Sequence, residues 1–247
     1  MLNVLKNRFE QGCRTSRYPK ENVHLPPRYR GRPEIHPDAP ANVANACATA
    51  CPQDAIDAAA RTIDMGRCIF CGTCERLSKG RFVSFTQDFA IAVAAKEHLV
   101  TRGDIPALAT HSRQHFKKLF GRSLQLRQVS AGGCNACEAD LNVLATPFFD
   151  LARFGINFVA SPRHADGILV TGPVSRNMKT ALLQTYEATP EPQVVIAAGS
   201  CPLTGGPFRG SPEVSEGLDA ILPVDLFIPG CPPHPMTNLH ALLTFFK

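Results

Sequence analysis

Apolar positions gather into short runs in the second half of the chain, at residues 124–129, 156–160, 167–171, 193–198 and 225–228. Runs this short, rich in β-branched residues and ended by Gly, Pro or Ser, read as buried strands. Helical patterns fit between most of them, at 139–149 and 179–187, with a last one from 236 to the C-terminus. Such alternation predicts an α/β domain: a parallel sheet with helices on both faces. Residues 1–40 differ, alternating basic side chains with Pro19, Pro26, Pro27, Pro33, Pro37 and Pro40. Proline removes a backbone donor and fixes φ, so an extended arm is expected, lying along a neighbouring surface because its apolar residues are too few for a core. Residues 80–95 read as a strand pair closing a small α+β unit. The polar, basic stretch 96–121 reads as a linker. The expected division is therefore an arm (1–40), a small domain (41–95), a linker (96–121) and a large domain (122–247).

The chain has 247 residues and ten cysteines. No charged segment followed by an apolar run and a cleavage site opens the sequence, so a reducing compartment is expected and clustered thiols are read first as metal ligands. In the large domain Cys134 and Cys137 follow the first predicted strand, Cys201 the fourth and Cys231 the fifth. Ligands of open parallel sheets gather outside the carboxyl ends of the strands, so these four thiols should emerge at one edge. A disulfide between Cys134 and Cys137 would leave Cys201 and Cys231 unexplained. Four thiolates beside Gly132-Gly133, Gly205-Gly206 and Pro232-Pro233 suit an iron-sulfur cluster, which backbone must approach closely. Glu138 falls in the first helical turn, where a carboxylate is favoured electrostatically; a carboxylate beside a cluster is equally suited to proton transfer. Arg163, His164 and His234 stand near enough in sequence to contact a cluster or a partner, although ordinary loop packing explains them as well.

The small domain carries Cys47-x3-Cys51-Pro52 and then Cys68-x2-Cys71-x2-Cys74. Two-cluster ferredoxins repeat Cys-x2-Cys-x2-Cys-x3-Cys-Pro, the fourth cysteine of each run ligating the other run's cluster. By that wiring Cys51, Cys68, Cys71 and Cys74 form one complete set for a [4Fe-4S] centre. The other set has lost its ligands at Ala41, Ala44 and Ser78, the last followed by Lys79 instead of proline, and retains Cys47 alone. Losses confined to one set are what discarding a single cluster predicts. Cys47 is then a small buried thiol and Cys13 a bystander.

Tetrahedral zinc is the competing reading of the four thiolates, although zinc motifs usually supply ligands as separated pairs. The net charge is +5, with basic residues concentrated at 28–32 and 113–127. Without a nucleic-acid motif or interleaved aromatics, these read as solvated or subunit-contacting faces, and no nucleic-acid partner is expected. His98, His111 and His115 lie among lysines and arginines; the last two are one helical turn apart with no acid or cysteine beside them, and a solvated face is the better reading. The longest apolar run, 89–95, is far too short to span a bilayer.

Gly132-Gly-Cys-Asn-Ala-Cys-Glu138, Arg153-Phe-Gly-Ile156, Ser161-Pro-Arg-His-Ala-Asp166, Thr171-Gly-Pro-Val174, Gly199-Ser-Cys-Pro202 and Ile228-Pro-Gly-Cys-Pro-Pro233 together resemble the small electron-transfer subunit of membrane-bound, energy-converting [NiFe] hydrogenases of the formate hydrogenlyase type. The same family includes the complex I protein that carries the last cluster before quinone. The resemblance covers residues 117–247. Ser16-Arg-Tyr-Pro19, Tyr29-Arg-Gly-Arg-Pro-Glu34 and Cys68-Ile-Phe-Cys-Gly72 are similar to the ferredoxin-like subunit of the same complexes. The chain thus looks like a fusion of two neighbouring subunits, a ferredoxin-like domain ahead of a flavodoxin-like one. Complex I members have adjacent cysteines at the first ligand position; Cys134 and Cys137 follow the hydrogenase spacing. The resemblance implies an oxidoreductase subunit with two [4Fe-4S] clusters and a nickel-bearing large subunit as partner. It also implies integral membrane subunits, a ferredoxin-like or formate dehydrogenase electron donor, and a cytoplasmic position on the inner face of the membrane. A complex I-like quinone or carrier oxidoreductase without nickel and a zinc-stapled interaction protein are the alternatives.

Overall fold

The computed structural model describes residues 2–104 and 123–246. In chain order the elements are α1 (Leu2–Gln11), β1 (Pro33–Ile35), α2 (Ala41–Thr49), β2 (Ile56–Asp57), β3 (Thr62–Asp64), α3 (Thr73–Ser78), β4 (Val83–Phe85) and β5 (Val100–Thr101). The second half adds β6 (Leu124–Ser130), α4 (Ala136–Val143), β7 (Ile156–Phe158), β8 (Gly167–Thr171), α5 (Arg176–Glu187), β9 (Val194–Ala198), α6 (Ser200–Thr204), β10 (Leu226–Ile228) and α7 (Pro235–Phe246).

Strands β6 to β10 form one sheet in the order β10-β9-β8-β6-β7, all pairs parallel. Counted within the sheet this is the 2-1-3-4-5 order of flavodoxin-like folds, whose switch point lies between β6 and β8. The central strands are buried along their whole length, and successive residues serve opposite cores. Leu169, Val194, Ile196, Ala198, Leu226 and Ile228 face Leu141, Met236, Leu239 and Phe245 of α4 and α7. Ile168, Val170, Val195, Ala197 and Phe227 face Leu182 of α5, Leu203 of α6, and Met65, Ile91, Val93 and Leu99 from the first half of the chain. The small domain thus covers part of one face of the sheet.

The first half departs from the sequence reading in three places. The arm is not extended throughout, because Leu2–Gln11 is helical; the prolines that exclude a helix begin only at Pro19. The rest of the arm lies along its own chain: Ser16 N–H donates to the Phe148 carbonyl at 2.8 Å, and Arg153 donates to the carbonyls of Ser16 and Tyr18 at 2.7 and 3.0 Å. Residues 80–95 are not a strand pair. Their strand β4 pairs antiparallel with β1 of the arm, and Val93 bridges the sheet-edge residue Phe227. Residues 96–104 are not linker, since β5 pairs with β3 inside the small domain. His111 and His115, with the rest of 105–122, lie outside the described residues. The stretch 28–32 is largely occupied internally: Arg32 pairs with Glu34 and Asp88 at 3.4 and 3.3 Å, and Arg30 approaches Glu75 at 3.9 Å. His98 is exposed. No helix among the described residues is long and apolar enough to cross a membrane.

Candidate metal centres

Cys51 ends the stretch after α2, Cys68 and Cys71 lie on the loop before α3, and Cys74 lies within α3. All four thiols line one small, largely enclosed cavity with Ile56, Ile63 and Phe85. Burial pushes the Cys74 thiol up to about 12 and that of Cys68 higher still, with Cys51 and Cys71 adding repulsion to both, Cys74 adding to Cys68 and Cys47 adding to Cys74. Thiols so placed stay protonated near neutral pH unless positive charge enters among them, so loading a metal here must release protons. Two backbone amides already aim at sulfur: Phe70 N–H lies 3.3 Å from Cys68 Sγ and Ala55 N–H 3.4 Å from Cys51 Sγ. Amides disposed in this way stabilise thiolate and raise the potential of a bound cluster.

The opposite end of the small domain, where a second ferredoxin cluster would sit, is filled with side chains. Ala44, Cys47 and Ser78 are at most 1% exposed, and the first two pack with Ile35, Phe82 and Val83. Cys47 Sγ donates to the Cys74 carbonyl at 3.5 Å, and Ser78 Oγ to that of Glu75 at 3.4 Å. This is ordinary close packing. Cys13 is exposed and stands apart on the arm.

At the carboxyl edge of the large sheet the second set comes together. Cys134 and Cys137 flank the start of α4, Cys201 is in α6 directly after β9, and Cys231 follows β10. Burial raises the Cys137 thiol far above its ordinary value and that of Cys201 to about 12; repulsion from Cys134, Cys231 and the Glu138 carboxylate adds to both, and Cys201 adds to Cys137. Cys134 and Cys231 are the exposed pair and Cys201 the buried one, so the set opens outward on one side. The backbone has been cleared for sulfur. A Cβ at Gly199, where φ is +105°, would lie 2.7 Å from Cys137 Sγ, and one at Gly206, where φ is +55°, would lie 2.9 Å from Cys201 Sγ. These are contacts that Cβ atoms do not make, so only glycine leaves the thiols where they are. Donor chemistry and cleared space together fit a sulfur-ligated cluster at each set. All ten cysteines are free. Among the described residues no group of three or more His, Cys, Asp or Glu is disposed to hold a lone metal ion.

Glu138 is buried at the switch point, its Oε1 accepting hydrogen bonds from Ser130 at the end of β6 and Thr171 at the end of β8, both at 2.6 Å. Burial alone would raise its carboxyl, but these hydroxyls and its own backbone amide outweigh that and hold it below the usual value. An ionised carboxylate thus ties two strand ends together beside Cys137. Sequence reading missed Ser130 and Thr171 as its partners, since each follows an apolar run as an unremarkable polar residue. His234 is half-buried against Tyr29, ring centroids 5.1 Å apart, and its Nδ1 accepts the Met236 amide at the start of α7. That is a helix-capping role. Arg163 and His164 lie exposed on a short turn between β7 and β8.

Residues 134–245 match the family described as NADH ubiquinone oxidoreductase, 20 Kd subunit. The chain is 46% identical over 126 residues to a probable membrane-bound hydrogenase subunit, mbhJ, of Pyrococcus furiosus, covering 51% of this chain and 75% of that protein. It is 44% identical over 124 residues to formate hydrogenlyase subunit 7 of Escherichia coli, covering 50% of this chain and 49% of that one. An NADH-quinone oxidoreductase subunit of a Roseiflexus species is 45% identical over 116 residues, covering 47% of this chain and 43% of that one.

Proposed function

Because the chain belongs to the family of the NADH ubiquinone oxidoreductase 20 Kd subunit, and is thus a subunit of the oxidoreductase kind, we propose that it relays electrons in a membrane-associated [NiFe] hydrogenase complex resembling formate hydrogenlyase. The observation that carries the reading is the gathering of eight thiols into two sets, one in each half of the chain. Cys51, Cys68, Cys71 and Cys74 would hold one [4Fe-4S] cluster, and Cys134, Cys137, Cys201 and Cys231 a second. Such a cluster, when bound, takes up and returns one electron.

The chain's own residues supply the surroundings. Burial of Cys68, Cys74 and Cys201 excludes water, and the amides of Phe70 and Ala55 favour the reduced state at the first site. Glu138 would take part in proton transfer beside the second site, with Ser130 and Thr171 holding its carboxylate in place. The outward-opening side of Cys134 and Cys231 suits contact with a nickel-bearing large subunit, where protons would be reduced or hydrogen oxidised. Integral membrane subunits would hold the assembly at the inner face of the membrane, and a ferredoxin-like or formate dehydrogenase donor would address the first site.

The NADH-quinone oxidoreductase relative supports a second reading, in which the partner is a quinone- or carrier-reactive module without nickel. The Cys134-x2-Cys137 spacing favours the hydrogenase side. Purifying the chain with its native partners and assaying nickel together with hydrogen-dependent dye reduction separates the two. The hydrogenase reading expects both signals, and a complex holding iron but neither nickel nor hydrogen activity would overturn it.

A further inference from the structure

One buried side chain joins the two thiol sets. Ser200 is 1% exposed and opens α6, the short helix that carries Cys201. Its Oγ donates to the Cys68 carbonyl at 2.9 Å and also lies 3.2 Å from the Gly230 carbonyl, while its backbone N–H donates to Gly230 at 2.8 Å. Cys68 belongs to the first set, Cys201 is the next residue along the chain, and Cys231 directly follows Gly230. One hydroxyl carries one proton, so the shorter contact, to Cys68, holds it. Resting on the two-cluster reading, we propose that Ser200 is the residue through which electrons cross between the two sites, its hydroxyl bond to the Cys68 carbonyl setting their coupling.

Electron tunnelling falls off less steeply along covalent and hydrogen bonds than across a van der Waals gap. From Cys68 Sγ the route runs through that residue's own Cβ, Cα and carbonyl, over one hydrogen bond to Ser200 Oγ, and through a single peptide unit to Cys201. It needs no through-space jump. Other hydrogen bonds and ion pairs between the halves among the described residues touch no cysteine of either set: Thr204 Oγ1 donates to the Gly66 carbonyl at 3.0 Å, Arg209 to that of Gln53 at 3.2 Å, and Lys96 pairs with Asp219 at 2.6 Å. Burying a hydroxyl costs free energy unless it is bonded, and this one is bonded across the boundary between the two thiol sets. In each crossing one electron leaves one site and one arrives at the other. Ser200 is neither oxidised nor reduced and keeps its proton.

The test compares Ser200→Ala with Thr204→Ala, which removes a crossing hydroxyl bond that does not touch a ligand residue. Both are made in the full chain with its clusters and partners in place. Iron content and the EPR signal of each reduced centre are recorded first. Freeze-quench EPR after mixing with dithionite then follows how fast the two centres equilibrate. Ser200→Ala should keep its iron and both signals while equilibrating several-fold more slowly, and Thr204→Ala should match the unmodified chain. Should the alanine variant lose iron, Ser200→Gly, which lacks the same hydroxyl, takes its place. An unaltered rate in the hydroxyl-free variant, or an equal slowing in Thr204→Ala, overturns the inference alone. An unmodified chain holding one centre or none overturns the two-site reading and the inference with it.

Discussion

Gly199 shows how closely the second site is fitted at the scale of one residue. Its φ of +105° is a conformation L side chains rarely adopt, and the missing Cβ is what leaves room for Cys137 Sγ. Gly199→Ala should therefore strip iron from the second site while the first keeps its own, as read by iron content and the separate EPR signals. Gly80→Ala is the control, because φ there is +72° but nothing lies within 4 Å of the added carbon. It should cost only the left-handed backbone strain, roughly 1–2 kcal/mol, and no iron. Equal iron in both variants would show that the space at Gly199 is not reserved for a sulfur ligand. Where the cysteines gather was legible in the sequence, the first four from their ferredoxin-like intervals and the second four because each follows a predicted strand. The supporting glycines were legible only as loop formers, since the atom each makes room for is distant in sequence.

Among the elements, the arm is held to the large domain by few contacts, and one of them titrates. Tyr18 Oη pairs with His240 Nδ1 at 2.5 Å, with Phe89 packed edge-on to both rings and Thr244 near the other ring nitrogen at 3.3 Å. Burial holds His240 below its ordinary value of 6.5, the charge of Asp88 opposing this only in part. With the arm docked against it, His240 therefore binds fewer protons in the folded than in the unfolded chain. Its contribution to stability is fully present above 6.5 and is lost as pH falls through 6.5 toward the lowered value. Hydrogen exchange of the arm amides should accelerate between about pH 7.5 and about pH 5.5, beyond the intrinsic pH effect. Tyr18→Phe, removing a bond worth roughly 1 kcal/mol, should accelerate it at both. Protection that ignores both changes would contradict this account of the latch.

The five strands of the large sheet were readable within a residue or two because burial on both faces makes each a continuous apolar run. The short elements of the first half were not, and three of them ran against the reading. Leu2–Gln11 exposes Val4, Leu5 and Phe9, so its helix shows no buried face to detect. The partner of Val83–Phe85 lies in the arm, about as far back in sequence as the small domain is long, and short edge strands carry little pattern of their own. Val100–Thr101 is a two-residue strand defined by its pairing alone.

For the whole molecule, the small domain covers part of one face of the sheet, and its Cys68 loop sits against the helix that carries Cys201. Under the proposed reading, carrying both thiol sets on one chain would keep their separation fixed at high effective concentration. Arg209 with Asp54 at 3.1 Å and Lys96 with Asp219 pin the rim of the same interface. Partly exposed pairs of this kind contribute about 0–1 kcal/mol each, so the buried apolar contacts of Met65, Val93 and Leu99 dominate. The account as a whole claims that each half holds its own iron-sulfur centre. Metal and acid-labile sulfide analysis of the anaerobically purified chain tests this most directly: it should contain about eight irons and about eight sulfides, four of each per [4Fe-4S] cluster, and no stoichiometric zinc. Stoichiometric zinc with little sulfide, or iron for one centre only, would contradict it.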